Sequence, residues 1–139
     1  MKKALQLAVI LLAFLPAVSF GQAPAQAQTE TPKNVWPEMT SFHTLMSTSF
    51  HPAEEGNFAP LRTNADQLFA AAKTWQKSVV PEDKFKPKET KAALKDLVID
   101  VAAVQKAVIA NQTDAQLLPL ITKAHDTFHR ITGECRQRD

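Results

Sequence analysis

Of the four histidines in this chain of 139 residues, two stand one helical turn apart in the segment KAHDTFHRI: His125 and His129. Residues at i and i+4 of a helix project from one face, one ring above the other. Two neutral imidazoles so placed form half of a transition-metal site, because one helix holds both donors with little further ordering. Imidazole suits Zn, Cu and Ni, and a thioether adds a preference for Cu(I). His43 is the candidate third ligand, and three protein donors with a fourth position open match a known zinc arrangement. Met39, Met46, His51 and Glu55 are further candidate donors. Asp126 points about 100° away from His125, which suits an outer role holding a neighbouring polar group.

Such a site needs helices that bring distant segments to one level, and the apolar spacing supplies four of them. The first covers about residues 35 to 50, with Trp36, Met39, His43, Met46 and Phe50 at 3-4 spacing. The second, about 58 to 79, repeats the rhythm through Phe58, Leu61, Ala65, Leu68, Ala72, Trp75 and Val79. The third, about 88 to 111, carries Leu94, Leu97, Val101, Val104 and Val108. In the fourth, about 114 to 136, Leu118, Ile121, His125, Phe128, Thr132 and Cys135 keep the same period.

The punctuation agrees with those boundaries. Pro37, Pro60 and Pro87 fall in first turns, where a missing N–H does no harm. Asn57 suits an N-cap, and Thr113 to Gln116 (TDAQ) reads as a capping box. Pro119 inside the fourth segment requires either a kink or a later helix start. Glycine is scarce and no strand alternation occurs, so the expected fold is all-α: an antiparallel up-down-up-down four-helix bundle.

In that bundle the first and fourth helices are neighbours. Aligning Phe50 with the start of the fourth helix sets His43 beside Ile121 and Met39 beside His125, within about one turn. His43, His125 and His129 are then expected to point inward to one level, with Met39 and Met46 above and below. The stretch SFHPAEEGN reads as the corner after the first helix, with Gly56 as terminator. His51 before Pro52 has the look of a cap followed by a first-turn proline. His51 with Glu54 or Glu55 is expected either to extend the bundle site or to make a peripheral one. It lies about 12 Å beyond His43 on a straight helix, too far to share one ion with it.

The remaining composition bounds the setting. Residues 1 to 23 have the form of a signal peptide: a basic MKK, an apolar run, and small-residue cleavage sites between 21 and 27. Residues 24 to 33 read as a disordered linker and 34 to 139 as the bundle domain. The lysine-led signal implies a periplasmic destination, with no membrane span in the mature chain. Without Lys2 and Lys3 the mature chain holds as many basic as acidic residues, which argues against a nucleic-acid partner. Cys135, the single cysteine, is a free thiol, a ligand or the link of a homodimer.

A Met early in the first helix and a His late in the fourth resemble the small periplasmic b-type cytochromes built as four-helix bundles. That resemblance implies non-covalent haem b with Met39 and His129 as axial ligands, and a role in electron transfer. The related c-prime cytochromes carry Cys-x-x-Cys-His in the last helix, a motif this chain lacks. The layout is also similar to exported metal-resistance and metal-sensing bundles. Three readings follow: a transition-metal-binding bundle for buffering, storage or sensing; a haem protein; and a metal-free interaction or chaperone-like module. No enzyme is expected. The Glu-x-x-His pairs of di-iron bundles are missing, and His129 lies on a different face from Cys135.

Overall fold

A computed structural model describes residues 36–137. The signal peptide and the linker expected at 1–33 lie outside them. Four helices follow in chain order: α1 (Pro37–Glu54), α2 (Ala59–Lys77), α3 (Pro87–Ile109) and α4 (Asp114–Gly133). Each packs on the next, and α4 returns to α1 along the thinnest of the four seams. Connections of four, nine and four residues leave consecutive helices no room except to run antiparallel. The chain is an all-α four-helix bundle.

The termini explain themselves locally. Pro37, Pro60 and Pro87 sit in first turns as expected. The Gln116 side chain reaches back to the Thr113 N–H (3.0 Å), so α4 begins at its capping box and runs unbroken through Pro119. The carbonyl that Pro119 deprives of a donor belongs to Ala115, on the exposed side and open to solvent. Asn57 caps from one position earlier than expected, its side-chain oxygen accepting from the Ala59 N–H at 3.2 Å.

The first helix does not stop at Phe50. It continues through Pro52 to Glu54, which places His51 inside the last turn of α1 rather than at a corner. Closure comes at Gly56, whose φ of +88° lets the Asn57 N–H reach back to the Pro52 carbonyl (2.8 Å) and its own N–H reach Ala53 (3.0 Å). This six-to-one pair with a left-handed glycine is the Schellman closure. Asn111, at φ +51°, closes α3 by the same pattern.

The core is apolar, with an aromatic column toward one end. Trp36, Phe42, Trp75, Phe85 and Phe128 are all buried, with ring centroids of successive neighbours 5.1 to 5.9 Å apart. Leu61, Leu68, Leu94, Leu97, Val101, Val104, Leu117, Ile121 and Ile131 complete it. The stripes expected for α2 and α3 hold, except that Val79 turns outward and Val80 inward, and Ala107 is buried where Val108 is half-buried. The stripes of α1 and α4 hold at Trp36, Met46 and Phe50 and at Ile121, Phe128 and Cys135, but elsewhere the preceding residue takes the inward place: Phe42 rather than His43, and Leu117, Ala124 and Ile131 rather than Leu118, His125 and Thr132. Both readings satisfy a 3-4 rhythm. The observed one wins because it buries methyls and phenyls and leaves the imidazoles at the rim, where their nitrogens meet water.

A Cβ at residue 56 would meet no atom within 4 Å, so the cost of replacing Gly56 is conformational alone. Gly56→Ala is expected to lower unfolding free energy by about 1–2 kcal/mol, read as a lower denaturant midpoint at unchanged slope.

Candidate metal centre

Two sets of contacts fix how α4 is turned about its axis. On the α3 side, the buried Asp100 accepts from Lys123 Nζ (2.9 Å) and from the Thr127 hydroxyl (2.8 Å), and Arg130 pairs with Asp96 at 2.6 Å. Toward the core, Leu117, Ile121, Ala124, Phe128 and Ile131 are buried. The side left over faces α1, and it carries His125 and His129. On α1, Ser49 accepts from the Asn64 side chain of α2 (3.3 Å), which turns His43, His51 and Glu54 to the flank away from α2.

All four histidines therefore meet along the outer edge of the α1–α4 seam. His125 Nε2 lies 3.1 Å from His129 Nε2, with ring centroids 4.4 Å apart. His125 also stacks on Phe50 (3.9 Å, 19°), and the His51 ring stands edge-on to it at 6.0 Å. His43 lies flat against Phe128 (5.1 Å, 3°), whose edge meets His129 at 5.4 Å. The outward Nδ1 of His51 is joined to Glu54 at 3.1 Å. A carboxylate on one nitrogen orients an imidazole and makes its other nitrogen the better donor.

These positions correct the sequence reading in three ways. His43 is exposed and stacked on a phenyl ring, not inward-facing, and His125 is half-buried. The α1–α4 register is displaced by about two to three turns: His43 stands level with Phe128 rather than Ile121, and Phe50 rather than Met39 with His125, so His51, not His43, is the α1 histidine beside the pair. Pro52 concealed this, because a proline inside an apparent helix reads as its end. Finally, the carboxylate at the cluster is Glu54. Glu55 is exposed at the C-cap, where only its backbone N–H is engaged, by the last turn of α1.

The sulfur donors lie elsewhere. Met46 is fully buried and Met39 packs against the core, so both belong to the apolar interior. Cys135 is also buried, beyond α4, where the tail pairs with the α2–α3 link: Lys86 N–H donates to the Cys135 carbonyl and Gln137 N–H to Lys84, each at 2.8 Å. Burial pushes its thiol pKa up, against a smaller pull from the Thr90 hydroxyl. A buried, protonated thiol is a poor link between chains.

The cluster is a pair and a neighbour rather than a finished cage. Among the described residues no three His, Cys, Asp or Glu side chains stand ready as a ligand set. The pair itself has fitting dimensions. At a metal–nitrogen bond of about 2.05 Å, two ligand nitrogens lie roughly 2.9 Å apart at a right angle and about 3.35 Å apart at the tetrahedral angle. The observed 3.1 Å falls between them. Without a metal, one ring donates its Nε2 proton to the lone pair of the other.

Comparisons with known protein families, curated proteins and solved structures return no match for this chain.

The surroundings of His125 make that ring acid-sensitive. His125 has its pKa lowered, chiefly by burial and next by the neighbouring His129; His51 acts the same way, while Asp126 and Glu54 oppose. The folded protein thus binds a proton at His125 less readily than the unfolded chain does. The stability carried by the neutral ring is complete above the ordinary imidazole value near 6.5 and is lost as pH falls below it. Between pH 7.5 and 5.5 the melting temperature is expected to fall, and to fall less in His125→Gln; equal falls would contradict this assignment.

Proposed function

We propose that this protein is an exported transition-metal-binding four-helix bundle, serving metal buffering, storage or sensing. The observation that supports it most is the 3.1 Å pairing of His125 and His129 Nε2, with His51 of α1 beside it. In this reading His125 and His129 are the primary ligands and His51 is the third, reached by a side-chain rotation. Glu54 is the positioning residue that holds His51. His43 lies behind Phe128 as part of the aromatic rim, and its role as third ligand passes to His51.

The donor chemistry narrows the ion. Imidazole nitrogens with a carboxylate behind them suit Cu(II), Zn(II) and Ni(II). Cu(I) would draw on thioethers, and both methionines near the seam are engaged in core packing. The haem b alternative has less support. A macrocycle between Met39 and His129 would need a slot in the bundle where Phe42, Trp75 and Phe128 already touch one another. Nor do exposed apolar side chains favour an interaction module: Val79, Ile99, Ile109 and Leu118 are spread over the α2–α3 link, α3 and α4.

The export step is read from the basic and apolar N-terminal stretch. It is compatible with the bundle, in which no described helix is long and apolar enough to cross a membrane.

Calorimetric titration of the chain lacking residues 1–23 tests the site with Cu(II), Ni(II) and Zn(II) in turn. One equivalent is expected to bind, with His125→Ala or His129→Ala each removing tight binding and His43→Ala leaving it within about twofold. Loss of Glu54 as Gln should weaken binding about tenfold, at the low end for an outer partner because the pair is exposed. At metal held 100-fold above Kd, the bound form gains about 2.7 kcal/mol, visible as a raised Tm. Unchanged titrations in the His125→Ala/His129→Ala double variant would refute the site.

A further inference from the structure

We propose that the seam hands its ion over by ligand exchange, accepting a donor atom from an incoming molecule before its own histidines let go. This rests on the metal-binding reading above and adds how the ion enters and leaves. A site built to retain its ion permanently encloses it with a complete ligand set. Exchange needs the reverse: few fixed donors, one loosely held donor, and open access for another.

Each of those features belongs to this seam. The fixed donors are two, His125 and His129, both on α4 and already 3.1 Å apart. The third, His51, belongs to a different helix and stands 6.0 Å from the His125 ring. Its side chain is 60% exposed and that of Glu54, which tethers it, 50%. An ion on this pair sits outside the bundle, at the rim of the thinnest seam, and not within the core. His125, half-buried and stacked on Phe50, anchors the inner side; His129 and His51 bound the outer side.

The order of bond changes follows. An incoming nitrogen, oxygen or sulfur donor bonds the ion at its solvent side, and His51 releases first because it is held by one exposed carboxylate. The His129 bond breaks next and the His125 bond last, each ring taking up a proton or returning to the shared Nε2 hydrogen bond. No electron moves. The partner this fits is a molecule that presents its own imidazole, carboxylate or thiolate on an accessible surface. Its task is to receive the ion from the seam or to deliver one.

The test uses wild-type protein carrying one equivalent of Ni(II), mixed rapidly with excess 4-(2-pyridylazo)resorcinol, a coloured chelator. Transfer is expected to be first order in chelator, the observed rate constant rising about tenfold for a tenfold rise in its concentration. In His51→Ala, which leaves the α4 pair intact, the second-order rate constant should rise by at least threefold. A rate constant that does not depend on chelator concentration would mean unaided escape from a closed site, and would overturn the exchange mechanism while leaving the metal site standing. A slower His51→Ala would overturn it too. Failure of the wild type to bind Ni(II) by calorimetry would instead overturn the site and the exchange together.

Discussion

An imidazole costs free energy to bury unless both its nitrogens find partners, and that cost decides how α1 and α4 lie against each other. Each helix has a run of apolar residues that must go inward and histidines immediately beside it. Because the histidines stop at the rim, the two helices meet through rings rather than through interlocked aliphatic side chains: Phe50 on His125, His43 on Phe128, His51 beside His125. The seam is thin for that reason, and all four histidines lie along it.

The opposite seam is what allows this. Asp100 with Lys123 and Thr127, and Asp96 with Arg130, hold α4 to α3 through polar contacts of 2.6 to 2.9 Å. An exposed ion pair adds little stability, but Asp100 is only 6% exposed and its two partners lock the rotation of α4 about its axis. With Lys123, Thr127 and Arg130 committed to α3 and Phe128 to the core, His125 and His129 have only the α1 flank to occupy. Orientation is thus set in large part by Lys123, Thr127 and Arg130, whose partners are on α3 and not at the site.

The helices and most of their ends were legible in the sequence, because proline at first turns, the Thr113–Gln116 box and Gly56 act locally and need no knowledge of the rest. The pairing of His125 with His129 was legible too, since i,i+4 spacing is a property of one helix. What could not be read was the relation between helices. Taking Phe42 or His43 on α1, and Ala124 or His125 on α4, keeps a 3-4 rhythm either way, and only packing against the other helices chooses between the two. The α1–α4 register failed for a more local reason: Pro52 reads as a boundary, yet α1 runs on through it to Glu54, the carbonyl that loses its donor belonging to the exposed Thr48. The unbroken course of α1 to Glu54 is what moves His51 into place and His43 out of it.

In the function proposed here, a metal joins α4 to α1 through His125, His129 and His51. Ring-nitrogen NMR of the histidines, followed while Zn(II) is added, tests it most directly. It predicts that the Nε2 signals of His125, His129 and His51 move together and saturate at one equivalent, while those of His43 stay in place. Shifts led by His43, or four rings that respond equally and without saturation, would contradict it.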